Sequence, residues 1–194
     1  ADGMQMSRPF GLYNNNGFST AGMECITCGS VWSVKPNLGY FLLKDNQGKK
    51  YLYEFNQSAA KTLDRIELDA SSKMANATCY ATNVKTASYF YFAYNNKLYT
   101  YNLTDKTEAD TPINLPEIGA DETITYLSYQ WLDCAADRNT YNFTHFMVGT
   151  QKGDSYKVYM YDIVAGFPKN LVRTIEGKGN FKSIVYVTPR FNGM

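Results

Sequence analysis

Along this chain, short runs rich in Tyr, Phe, Val, Ile and Thr alternate with clusters of Asn, Asp and Gly. That punctuation predicts many short antiparallel strands joined by tight turns. Helical periodicity is weak. The one run with several helix formers, 59–68, places Leu63, Ile66 and Leu68 without a 3.6-residue stripe.

One pattern recurs. Leu52-Tyr53-Glu54-Phe55-Asn56 matches Leu98-Tyr99-Thr100-Tyr101-Asn102 and Val158-Tyr159-Met160-Tyr161-Asp162, with starts 46 and 60 residues apart. An apolar strand leads each copy: Tyr40-Phe41-Leu42-Leu43, then 89–94, then 143–148. The turns between are Asp45-Asn46-Gln47-Gly48, Asn95-Asn96 and Gln151-Lys152-Gly153-Asp154. These residue types tolerate the positive φ of tight hairpins. A further strand is expected after each copy, over 63–68, 111–115 and 171–175. One is expected before each unit, over 28–34, 77–82 and 124–131.

Four strands per unit at about this period predict an all-β, propeller-like chain of about four antiparallel four-stranded blades. A blade packs on both neighbours, so both of its faces need apolar or aromatic side chains. Tyr suits this, because its ring packs while its hydroxyl reaches an edge. The units fall at roughly 1–27, 28–70, 76–117 and 123–177 of one domain spanning 1–194, with a closing strand over 181–188. Phe10-Gly11-Leu12-Tyr13-Asn14-Asn15 reads as the hairpin of a partial first unit. If the closing strand pairs with it, a four-bladed ring closes; if not, the chain is an arc of a larger propeller. The alternative architecture is a twisted β-sandwich.

Composition narrows the function. The formal net charge is +1, from 19 Lys+Arg and 18 Asp+Glu, so no field gathers nucleic acid or an anionic membrane. No apolar run approaches the ~20 residues that span a bilayer. The first residues, Ala1-Asp2-Gly3-Met4-Gln5, lack the basic and apolar regions of a signal peptide. The expectation is a removed signal or a start inside a longer protein. The single histidine, His145, sits in mid-strand and makes His-based catalysis and most metal sites hard to build. No metal or other cofactor is expected.

Cys25-Ile26-Thr27-Cys28 is the sharpest local motif. A thioredoxin-like pair needs a strand-to-helix context, and Gly29-Ser30-Val31-Trp32 reads as strand. Zinc would need a second pair, and Cys79 and Cys134 stand apart. Buried free thiols or a disulfide remain, with the connectivity open. Asp121, Glu122, Asp133 and Asp137 flank the 124–131 strand and could supply a glycosidase pair, though they read as solvated loop charges. Four Asn-x-Ser/Thr triplets, at Asn56, Asn76, Asn102 and Asn142, are too few above chance to argue for glycosylation. Aromatics make up 15% of the chain, enough for some rings to face a ligand as well as a core. Trp32, Tyr129 and Trp131 lie on or near inner strands. Each is either a ring that stacks on a sugar or anchors a protein, or a ring packed between blades. Ligand contact is expected at loops such as 134–140 or 83–87.

The stretch YFYFAYNNKLYTYNLTDK (89–106), the Asn-Asn and Asp-Asn-Gln-Gly turns and the ending FKSIVYVTP (181–189) resemble a known group. They are similar to the C-terminal propeller-like region of the PKD-like family of surface lipoproteins of Bacteroidetes. The resemblance covers most of the chain and is one of pattern, without a diagnostic motif. It implies an exported protein, anchored at the outer membrane of a bacterial cell surface or periplasmic, with a binding or adhesion role. Those proteins are longer, with an immunoglobulin-like part before the propeller, so this chain would be a C-terminal piece. No catalytic residues carry over.

The sequence therefore points to a non-catalytic adhesion module for a glycan or a protein. Its rivals are a propeller glycosidase or lyase using carboxylates near 121–137, and a structural segment that completes its ring with another chain. The last would self-associate, because an open arc leaves sheet faces and an edge uncovered.

Overall fold

The computed structural model of the chain describes residues 18–31, 35, 37–56, 58–59, 61–84, 87–133 and 142–184, with backbone only at 83, 131–133 and 142–144. Among these residues the structure is all-β, with no helix. The first sheet holds β1 (Glu24–Val31), β2 (Leu38–Lys44), β3 (Lys50–Asn56) and β4 (Lys61–Glu67). The second holds β5 (Cys79–Ala81), β7 (Tyr89–Tyr94), β8 (Lys97–Asn102) and β9 (Thr107–Glu108). The third holds β10 (Thr123–Asp133), β11 (Asn142–Lys152), β12 (Ser155–Val164) and β13 (Phe167–Lys178). Each is an antiparallel meander of strands in chain order. One short strand, β6 (Asn83–Val84), leaves the second sheet and pairs in parallel with Ser30 and Val31 of the first.

The three copies of the repeat occupy the third strand of the three meanders, β3, β8 and β12. In each copy the aliphatic residue and both aromatics are buried: Leu52, Tyr53 and Phe55; Leu98, Tyr99 and Tyr101; Val158, Tyr159 and Tyr161. Neighbouring strand residues point to opposite faces, so burial of consecutive residues means that both faces are covered. The hairpins close as their residues predict. Asn95 and Asn96 take positive φ of 47° and 58°, and Gly48 and Gly153 take 85° and 56°.

The central sheet shows how the layers join. On β7, Phe90 meets Tyr40 of the first sheet edge-on at 5.3 Å. The flanking Tyr91 meets Phe146 and Tyr129 of the third sheet at 4.9 Å and 6.2 Å. Tyr89 meets Phe167 at 5.2 Å. Alternate side chains of one strand thus build one continuous core with the sheets on either side. Burying such a ring contributes roughly 1.5–3 kcal/mol.

The far faces of the outer sheets are covered by short segments. On the first, Leu43, Tyr51 and Tyr53 form a separate cluster with Phe41, Phe18 and Met23. On the third, Phe181 packs against Tyr126 and Tyr156, at 5.2 Å and 5.4 Å between ring centres. Gly149 makes room for it, since a Cβ there would lie 2.9 Å from the Phe181 ring.

Several expected boundaries shift. β1 starts at Glu24, so the boundary expected between 27 and 28 cuts through a strand. The fourth strand of the second sheet is Thr107–Glu108 rather than 111–115, where only the bridge Leu98–Ile113 forms. Pro112 removes a ladder donor from that stretch, and Pro116 follows directly after it. The expected closing strand is not a strand over 181–184, and the rest of it lies outside the described residues, as does the hairpin expected at 10–15. Asn83 and Val84, expected in a loop, are strand.

Candidate functional site

The first strands of the three sheets converge. β1, β5 and β10 frame a concavity of about 420 Å³ lined by Thr27, Cys28, Tyr80, Ala81, Thr82, Leu127, Ser128, Tyr129 and Gln130. Gly29 allows the close approach of the first two sheets there, because a Cβ would stand 2.2 Å from the Thr82 carbonyl oxygen. Thr82 Oγ1 donates to the Cys28 carbonyl at 2.7 Å and lies 3.3 Å from Thr27 Oγ1. Gln130 Nε2 donates to Ser128 Oγ. The lining holds hydroxyls, an amide and apolar surface, and no charged side chain. Burial pushes the Tyr80 phenol up to about 12, so it stays protonated, and it donates to the Met74 carbonyl at 2.9 Å.

A larger cleft of about 580 Å³ lies between the β2–β3 turn and the chain after β4. Its charged groups are already engaged: Lys49 with Glu67 at 2.8 Å, and Lys50 with the Ala75 carbonyl. That arrangement is a solvated groove with its ionic partners in place.

Of the residues expected to bind, Tyr129 borders the concavity, but its ring is committed elsewhere. It is 5% exposed and packs against Tyr91 and, edge-on, Phe146 at 6.5 Å. Its ring is used in packing against Tyr91 and Phe146. Trp131 lies on β10, two residues further along, with its side chain outside the described set, and Trp32 lies outside it altogether. The 134–140 loop is also outside.

The carboxylates divide. Asp121 is an exposed partner of Lys152. Glu122 corrects the expectation of a solvated loop charge, since its side chain is 6% exposed. Its carboxylate accepts from Thr150 Oγ1 at 2.7 Å, Tyr159 OH at 2.9 and 3.0 Å, and Lys157 Nζ at 3.0 Å. Burial pushes its pKa up, but the bonds from Thr150, Lys157 and Tyr159 outweigh this and hold it below the ordinary 4.5. Asn96 ties the same corner to the central sheet. Its Nδ2 donates to the Glu122 carbonyl at 2.5 Å, and its Oδ1 accepts from Ile124 N–H at 2.6 Å. The Asp133 side chain and all of Asp137 lie outside the described residues.

His145 is half-buried on β11, opposite Gln130 and Asp162. Burial lowers its pKa against the pull of Asp162. Cys25, Cys28 and Cys79 are free; Cys25 and Cys28 are exposed on a strand, which corrects the expectation of buried thiols. Burial raises the Cys79 thiol to about 11. Among the described residues no cluster of three or more His, Cys, Asp or Glu gathers to hold a metal, and no helix is long and apolar enough to cross a membrane.

The polar lining at Thr27, Thr82, Ser128 and Gln130 carries no aromatic signature and lies outside the residues expected to bind. The signal is the alternation Leu127-Ser128-Tyr129-Gln130, apolar then polar along β10. No family model matches the chain, and neither a curated protein nor a solved structure matches it.

Proposed function

We propose that the chain is a propeller-type, non-catalytic binding module whose four-stranded meanders are blades, and that it takes a neutral glycan at the concavity framed by β1, β5 and β10. The observation that carries this reading is the meeting of three first strands around a lining of hydroxyl and amide groups without charge. Uncharged donors and acceptors match the hydroxyl groups of a neutral sugar. The glycosidase reading is weakened at Glu122, whose two oxygens are already engaged by Thr150, Tyr159 and Lys157.

The ring is proposed to close on the chain itself. Support comes from Phe18 with Met23, and from Phe181, which cover the far faces of the first and third sheets. A monomer in light scattering fits self-closure. A dimer that survives dilution would mean an arc completed by a second chain. Exposure at a bacterial surface rests on the family resemblance, and protease shaving of intact source cells tests it.

The binding test is a glycan array with wild-type protein and with Ser128→Arg and Gln130→Ala. Saccharide signals that both variants abolish, with circular dichroism unchanged, support the reading. A blank array with folded protein, or capture of a protein ligand alone, overturns it.

A further inference from the structure

We infer that Cys25 and Cys28 form a reversible disulfide within β1, made reachable by the bulge between them. In a regular strand, residues three apart point to opposite faces. Here the pairing with β2 slips: Cys25 stands opposite Leu43, Thr27 opposite Leu42 and Cys28 opposite Phe41, with Ile26 the extra residue. The slip returns both thiols to one face. Their partners agree, since Leu43 and Phe41 belong to the cluster on the far face of the first sheet. Ile26 packs on the shared core, and Thr27 reaches Thr82 of the second sheet.

Three further observations support the pairing. The Cys25 thiol points along the chain toward its partner, with its Sγ 3.7 Å from the Thr27 carbonyl oxygen. Both residues are exposed, so an oxidant reaches them. The two thiols also interact electrostatically: burial raises the Cys25 pKa first, and Cys28 raises it further. With one residue bulged out, the pair spans about one pleat repeat, roughly 6.6 Å between Cα atoms. That is near the upper end of the Cα reach of a disulfide, and same-face Cβ atoms this far along a strand start farther apart than the roughly 3.5–4.5 Å the bond needs, so closure draws β1 in at the bulge and leaves a strained, reducible bond. Cys79 packs against the core and is the poorer partner.

The chemistry balances with a small disulfide as oxidant. One cysteine thiolate attacks a sulfur of oxidised glutathione, forming a mixed disulfide and releasing one glutathione thiolate. The second cysteine thiolate then attacks the protein sulfur of the mixed disulfide and releases the second glutathione. The protein loses two protons and two electrons, and the oxidant becomes two thiols.

The test equilibrates the whole chain in glutathione redox buffers, quenches it with acid, alkylates it and maps its peptides by mass. The expected product is a peptide spanning Cys25 and Cys28 that has lost two hydrogens and resists alkylation at both. Reduction should restore it. In Cys25→Ser and Cys28→Ser the remaining cysteine should instead carry glutathione. Glutathione on both cysteines of the wild type, links from Cys25 or Cys28 to Cys79 or Cys134, or two thiols that stay free in oxidising buffer would each overturn the assignment. Circular dichroism of both serine variants separates these outcomes from misfolding.

Discussion

The second and third sheets have the same strand order and hold together by different means. The second has strands of 3, 6, 6 and 2 residues. Its ladder is short, but Phe90, Tyr91, Phe92 and Ala93 are all 1% exposed or less, with core on both sides. The third has strands of 11, 11, 10 and 12 residues, and its outer strand leaves Leu171 and Val172 37% and 52% exposed. Where it meets the second sheet, the ring contacts of Tyr129, Phe146 and Phe167 are joined by a buried charge, Glu122. A sheet in the middle of a stack is stabilised by its faces. A sheet at the end adds a long ladder and a buried polar corner to the one face that its neighbour covers with rings.

The largest expected effect tests the faces. Tyr91→Ala removes the ring between Phe146 and Tyr129 together with its hydroxyl bond to the Gly166 carbonyl, and should cost about 3–5 kcal/mol in urea unfolding. A cost under about 1 kcal/mol would break the contrast between the sheets.

Next is the charge. Glu122→Gln leaves donors from Thr150, Tyr159 and Lys157 facing an amide and should cost about 2–3 kcal/mol near neutral pH. The folded pKa lies below the unfolded value of 4.5, so the carboxylate's contribution is complete above 4.5 and disappears as pH falls through the folded value. The Tm gap between wild type and variant should therefore be constant near neutrality and narrow in acid. A gap that widens in acid would reverse the assignment.

A smaller effect is expected at the joint between the two sheets. Asn96→Ala deletes the bonds to Glu122 and Ile124 and places Ala at φ 58°, for about 1–2 kcal/mol. Asn96→Gly, which relieves the backbone but not the bonds, should recover part of the loss. The smallest effect belongs to the outer strand, where Val172→Ala should stay within about 0.5 kcal/mol. A larger cost there would mean that another surface covers β13.

The parts of the fold that read from the sequence are those set by neighbouring residues. Asn95-Asn96 and Gly153 announce their hairpins, and the Leu-Tyr, Leu-Tyr and Val-Tyr copies mark the third strand of each meander. What escaped depends on contacts distant in sequence. β9 is two residues long, and the carboxylate of Glu108 accepts from the backbone N–H of Lys73 and Met74 at 2.9 and 3.0 Å, far from its own strand neighbours. Glu122 looked like any loop carboxylate, because its donors come from β11 and β12. Tyr129 looked like a binding ring, because nothing nearby in sequence reveals Tyr91 and Phe146. The concavity itself belongs to three strands that no local pattern brings together.

The parallel pairing of β6 with β1 bears on the order of synthesis. β1 through β4 leave the ribosome as a finished meander, but the Ser30–Val31 edge meets Asn83 and Val84 only after β5 has been made. Until then the nascent first sheet presents a bare inner margin to other growing chains. Translation that stalls in the stretch between β4 and β6 would catch the protein at its stickiest, and a chaperone would have most to do there.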